Sequence, residues 1–183
     1  MKTFYAKDRN TWRSWFNKNH DKADEIWLIR YKKASRIACI TYDESVEEAL
    51  CFGWIDGVVR KNDIDSTVQR FTPRRAKSNW SELNKERARR LIKSEKMTAT
   101  GMKALEGIDL KVYSLILSEK TEQVLKKDPQ VWKNFEDFDD VYKRLRIAYI
   151  EDAYNQKRFE EYERRLNSFV RATKKNRKIG TVI

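Results

Sequence analysis

One stretch of this chain dictates much of what its N-terminal half can become. Residues 41–52 carry Val46, Ala49, Leu50 and Phe52 at helical spacing, and Gly53 follows at once. Glycine accepts the left-handed backbone that ends a helix, so the helix stops there. Trp54-Ile55-Asp56-Gly57-Val58-Val59-Arg60 comes next, β-branched and aromatic, which reads as a strand. A polar turn over residues 61–66 leads to Thr67-Val68-Gln69-Arg70-Phe71-Thr72, and Pro73 ends that second run. Strands joined by so short a connection pair as an antiparallel hairpin. A helix halted directly in front of a hairpin commits this region to a mixed α+β unit.

The flanking segments fit such a unit. Asp8 caps a short helix whose Trp12, Trp15 and Phe16 form a core stripe. Residues 26–33 read as a strand, and Ile37-Ala38-Cys39-Ile40 as a weaker strand or an extended link. Thr41 or Asp43 opens the helix that Gly53 ends, with Glu44, Glu47 and Glu48 towards its positive N-terminal end. Ser78 or Ser81 caps a helix over 81–96, and a short one follows at 100–106. Residues 112–117 are apolar and compatible with helix or strand. From Thr121 onward nearly everything reads as helix, including Asp128-Pro129 as cap and first turn. Val141, Tyr142, Leu145, Ala148 and Tyr149 form one apolar stripe, and Phe159, Tyr162, Leu166, Phe169 and Val170 another. Two prolines and five glycines in 183 residues favour helices over a turn-rich all-β fold. The expected architecture is therefore α+β. A small antiparallel sheet of about three strands packs with helices over residues 1–107, and a helical region over 108–183 packs on that core.

Charge narrows the partners only broadly. Forty Lys and Arg face 28 Asp and Glu, a net charge of +12. Such a balance suits phosphates, nucleic acid or an anionic membrane, and it also suits a solvated lysine-rich surface. Between Arg60 and Lys96 twelve basic residues, Lys77 among them, outnumber five acidic ones. The acidic run at 136–140 either caps a helix or accepts the basic tail that begins at Arg171. The two cysteines and the single His20 cannot assemble a His-based zinc site. No Gly-rich phosphate loop or HExxH motif is present, so no metal and no cofactor is expected. Cys51 reads as a small core hydrophobe. The N-terminus lacks the apolar core of a signal peptide and no run reaches membrane-spanning length. A reduced, cytoplasmic protein with no transmembrane segment is expected.

The candidate site consists of Trp54, Asp56, Arg60, Arg70, Arg74 and Trp80. Strand alternation puts Trp54, Asp56 and Val58 on one face. Guanidinium forks suit bidentate capture of phosphate or carboxylate, and the tryptophans could stack on or shield a ligand. Asp56 either pairs with an arginine to fix the hairpin or serves as an acid or orienting group in a cleft. Three functions fit these residues. The first is a binding module for an anionic ligand, whether nucleotide, sugar phosphate or nucleic acid. The second is an enzyme using Asp56 as acid/base. The third is a stress or antimicrobial-peptide resistance factor acting through protein contacts, with the C-terminal helices as the contact surface.

The segments Trp27-Leu28 with Lys32-Lys33, Thr41-Tyr42, Ala49-Leu50-Cys51-Phe52-Gly53-Trp54-Ile55-Asp56-Gly57, Arg70-Phe71-Thr72-Pro73-Arg74 and Ser78-Asn79-Trp80-Ser81 together resemble the YdeI/OmpD-associated family, also labelled bacteriocin-protection. The resemblance runs in order over about residues 4–107. It continues more loosely through Tyr149-Ile150-Glu151-Asp152-Ala153 and Arg165-Leu166, and it lapses around 107–120. It implies a small bacterial cytoplasmic protein and a role in resistance to cationic peptides or bacteriocins. It brings no reaction, cofactor or catalytic residue. A chain this cationic is itself ill suited to sequester a cationic peptide.

Overall fold

The structure, a computed structural model, describes residues 1–75 and 78–180, so Lys77 and the last three residues lie outside the described residues. The chain divides into two units, Met1–Trp80 with Lys85–Leu110, and Ser81–Asn84 with Lys111–Ile183.

The first unit contains β1 (Thr3–Tyr5), α1 (Arg9–Asn19), β2 (Ile26–Tyr31), α2 (Tyr42–Cys51), β3 (Trp54–Lys61), β4 (Ser66–Pro73), most of α3 (Glu82–Lys93) and α4 (Ala99–Lys103). Among the described residues four strands form one sheet in the order β1-β2-β4-β3. The fold is α+β, as expected. The expectation of about three antiparallel strands needs correction: β1 adds a fourth and pairs parallel to β2, which makes the sheet mixed. At three residues β1 is too short to show periodicity. Residues 37–40 are an extended link, with Ile40 N–H donating to Ala6 O at 3.2 Å.

Local chemistry sets the helix ends. Asp8 accepts from Thr11 N at 2.8 Å. Thr41 caps α2 in a reciprocal capping box, its hydroxyl accepting from Glu44 N while Glu44 accepts from Thr41 N at 3.1 Å. Gly53 follows α2 at φ +73°, the left-handed stop that the sequence required.

The core of this unit lies between the helices and one face of the sheet. Trp12, Phe16, Leu50, Phe71 and Trp54 are all essentially inaccessible to water. Trp12 meets Phe71 at 5.4 Å, and Phe16 meets Phe52 at 5.3 Å and Trp54 at 5.4 Å between ring centroids. Charge fastens α1 to α2. Glu48 is buried on α2, and it accepts from Arg13 at 2.7 Å and lies 3.7 Å from Arg9.

The second unit holds α5 (Glu119–Lys126), α6 (Pro129–Asp137), α7 (Asp140–Asn155) and α8 (Phe159–Lys174). Its core contains Leu125, Phe135, Tyr142, Ile150, Tyr162, Leu166 and Phe169. The stripe expected on α7 shifts slightly. Tyr149 is exposed at the surface, with the Arg165 guanidinium 3.7 Å over its ring, whereas Ile147, Ile150 and Ala153 are buried. Asn134 stops α8 from within by donating to Thr173 O at 2.8 Å. Asp139 both caps α7, accepting from Tyr142 N at 2.8 Å, and pairs with Lys178 of the basic tail. The acidic run thus takes both roles open to it.

Candidate functional site

The six residues singled out from the sequence do not form one cluster, and for Arg60 the reason is a β-bulge. In the β3–β4 pairing Asp56 stands opposite Phe71 and Val59 opposite Gln69, so three residues of β3 span two of β4. The extra residue inverts the alternation beyond Asp56. Asp56 stays on the face of Gln69 and Phe71, towards the helices. Arg60 falls opposite Val68 and therefore onto the other face, which it shares with Arg70 and Trp27. The expected shared face for Trp54, Asp56 and Val58 ends at the bulge, and Val59 takes the place assigned to Val58.

On that outer face Arg60 lies 4.9 Å over the Trp27 ring. Arg70 donates through Nε to Glu25 at 2.7 Å, and Glu25 also accepts from Trp27 Nε1 at 3.0 Å. These two bonds hold the Glu25 carboxyl below its ordinary range. Arg70 thus has its carboxylate already. Trp54 offers no stacking surface, being 1% exposed. Its indole nitrogen donates to His20 O at 3.1 Å, which satisfies the one polar atom of the ring. It belongs to the core.

Asp56 remains on the helix side. The expected arginine partner of Asp56 is replaced by neutral donors. Tyr42 hydroxyl donates to Asp56 Oδ2 at 2.9 Å and Gln69 Nε2 donates to the same oxygen at 3.0 Å. Oδ1 accepts no hydrogen bond among the described residues. Gln69 is buried and in turn accepts from Arg30 at 3.2 Å. Two guanidiniums lie over the Tyr42 ring, Arg30 at 5.3 Å and Arg87 at 5.8 Å. Arg87 is buried and paired with Asp43. Burial first, then the neighbouring Asp56 charge and hydrogen bond, push the Tyr42 hydroxyl up to about 12. It is therefore a fixed donor at neutral pH.

Arg74 begins where β4 ends. Its backbone N–H donates to Gly53 O at 2.9 Å, extending the hairpin pairing past Pro73. Its guanidinium lies 3.7 Å from the centre of the Trp80 ring. Nη1 reaches only neutral acceptors, Ser78 Oγ at 3.2 Å and Asn79 O at 3.4 Å, and Nε is buried with no partner among the described residues. Among the described residues Arg74 makes no ion pair. Burial pushes it down to about 10, opposed only by the charge of Asp56. A guanidinium partly withdrawn from water and left without a counterion carries a desolvation cost that an incoming anion would offset.

Sequence reasoning passed over Tyr42, Gln69 and Arg30 as parts of this arrangement. Tyr42 directly follows the α2 cap and was readable only as a helix residue. Gln69 and Arg30 join Asp56 solely through strand register. Among the described residues no group of three or more His, Cys, Asp or Glu side chains is placed to hold a metal ion. Cys51 is buried, and burial pushes its thiol up to about 11, which suppresses the thiolate. No helix of the described residues is long and apolar enough to cross a membrane.

Residues 4–104, which contain all of the candidate site, match the family described as Domain of unknown function (DUF8412). The chain belongs to that family. Residues 114–176 match a second family, described as Bacteriocin-protection, YdeI or OmpD-Associated. The YdeI/OmpD resemblance is thus confirmed, but its seat is the helical second unit, where the sequence resemblance was looser. The segments around Trp54 and Arg74 fall within the other match. No curated protein and no solved structure matches the chain.

Proposed function

We propose that the first unit is a non-enzymatic binding module for a small anionic ligand, held at Arg74 against Trp80. The observation that carries this reading is the state of Arg74: partly buried, stacked on an indole, bonded only to neutral oxygens, with one buried N–H unused. Surface arginines in this protein commonly have a carboxylate, as Arg70 has Glu25. Arg74 has none among the described residues. A guanidinium braced by an aromatic plane keeps its fork oriented, so little freedom is lost when a phosphate or carboxylate docks. In this reading Asp56 is an orienting charge, its Oδ2 held by Tyr42 and Gln69.

Titration of tryptophan fluorescence with inorganic phosphate, acetate and adenosine monophosphate tests the reading. A saturable change is expected with at least one of these probes. It should disappear in Arg74→Gln and persist in Arg60→Gln and Arg70→Gln, whose side chains are engaged with Trp27 and Glu25. No saturable response to any of the three, or equal losses in all three variants, would refute it. Single-stranded oligonucleotides at rising salt complete the test. Tight binding with a steep salt slope, insensitive to Arg74→Gln, would move the function to the general basic surface.

A further inference from the structure

Among the described residues eight large hydrophobics are more than half exposed, and six of them lie in two places. Val58, Val59 and Ile64 belong to β3 and the turn after it. Val112, Tyr113 and Ile116 belong to the stretch that links the two units along the chain. Residues 112–117, compatible with helix or strand by sequence, form neither. Their burial nevertheless alternates. Leu115 and Leu117 pack against the core of the second unit while Ile116, between them, is 83% exposed, which is the two-residue period of an extended chain. The stretch is pinned at both ends. Leu110 O accepts from Arg89 Nε at 2.7 Å, and Ser118 N donates to Glu151 at 3.3 Å. Between those points the backbone of residues 114–117 makes no hydrogen bond among the described residues.

Strand β3 has the complementary surplus. It ends the sheet order, so one of its sides faces no strand. Residues 57–61 are all exposed, Val58 and Val59 by more than half. Among the described residues the β3 backbone bonds only to β4. We propose that residues 112–117 of one copy add as a strand to the β3 edge of a second copy. Idle backbone groups on each side pair, and the two apolar surpluses cover each other. Charge selects this segment over a second β3. Arg60 and Lys61 make the edge cationic, so two β3 edges brought together would crowd their cations. Val112-Tyr113-Ser114-Leu115-Ile116-Leu117 carries no charge, proline or glycine, the composition of a segment ready to pair. Six residues make a small contact, so the association is weak and concentration-dependent. Arg74 and Trp80 take no part in it, and it stands apart from anion binding.

Sedimentation velocity of the protein from micromolar to millimolar concentration tests this. The mass is expected to rise above that of a monomer. Val59→Lys and Ile116→Lys, both at exposed positions, should each weaken association about tenfold or more. An equimolar mixture of the two variants should associate more tightly than either alone, because the intact segment of the first fits the intact edge of the second. Amide exchange at high concentration should slow in residues 57–61 and 112–117 together, as new backbone bonds require. A monomer throughout the range would overturn the proposal. So would association that both lysine variants leave unchanged, a mixture no tighter than its components, or slowed exchange in neither segment. The concentration series and the exchange measurement use the unaltered protein, so neither depends on a variant folding.

Discussion

Gly101→Ala offers a sharp test of how the first unit is put together, because two rules predict opposite signs. Gly101 is a buried residue inside α4. By intrinsic propensity alone, alanine in a helix interior is better than glycine by about 1 kcal/mol. The packing says otherwise. A Cβ added at Gly101 would lie 3.0 Å from Leu50 O, 2.7 Å from the Cys51 carbonyl carbon and closer still to the Cys51 oxygen. Carbon atoms rest about 3.5–4.0 Å apart, so α4 must retreat from the end of α2 by roughly 1 Å. The neighbours in the way are backbone and cannot rotate aside. Retreat also strains the two bonds that satisfy the otherwise orphaned Cys51 carbonyl, from Thr98 Oγ1 at 2.6 Å and from Thr98 N at 3.1 Å. Each is worth about 1 kcal/mol net. Overpacking adds about 1–3 kcal/mol. After the propensity gain is subtracted, a net loss of about 2–4 kcal/mol is expected. Urea unfolding followed by tryptophan fluorescence reads it as a lowered midpoint with an unchanged slope. Met102→Ala, an exposed change on the same helix, should stay within about 1 kcal/mol of the parent. A Gly101→Ala protein as stable as the parent, or more stable, would refute the claim that α4 is seated on the α2 carbonyls through a bare glycine.

Three further outcomes follow from particular contacts. Tyr42 has a folded-state value of about 12 against 10.0 when free; its contribution is fully present below pH 10 and is lost as pH rises through 12. Tyr42→Phe should therefore flatten the loss of stability between pH 10 and 12 in denaturant titrations, and an unchanged profile would contradict the burial of this hydroxyl beside Asp56. Glu48→Gln removes the buried negative charge that Arg13 and Arg9 face and leaves one acceptor oxygen in its place; a loss of about 2 kcal/mol is expected in chemical unfolding, reduced because both arginines are partly solvated. Asn134→Ala removes the donor to Thr173 O in the second unit; a cost of about 1–2 kcal/mol should appear in thermal unfolding, with early fraying of α8 visible by amide exchange.

Much of this molecule is legible in its amino-acid sequence. The α2 stop at Gly53, the hairpin of β3 and β4, the aromatic core stripe of α1 and the helical second unit all follow from short-range rules. Each depends on residues a turn or a strand apart, where backbone sterics and periodic burial leave one solution. Helix α3 ends at Lys93, short of the expected residue 96, because Ser94 to Thr98 turn back to deliver Thr98 to the end of α2, and α4 runs over Ala99–Lys103 where 100–106 was expected. Strand β1 escaped notice because three residues carry no period. It exists only through its neighbour β2.

The candidate site shows where sequence reading stops. The residue types were readable: an Asp and several arginines beside aromatics on a hairpin. Their grouping was not. Two-residue alternation puts Asp56 and Arg60 on one face, and a single extra residue between Asp56 and Val59 puts them on opposite faces. Trp54, Asp56, Arg74 and Trp80 kept to the helix side or the end of the hairpin, whereas Arg60 and Arg70 went to Trp27 and Glu25. Most secondary elements, the fold class and the excess of guanidinium groups follow from local pattern and composition alone. Which guanidinium groups meet a carboxylate among the described residues, as Arg70 does, and which do not, as with Arg30, Arg60 and Arg74, is a matter of packing. Pairing depends on register, and register is settled by which strands and helices meet.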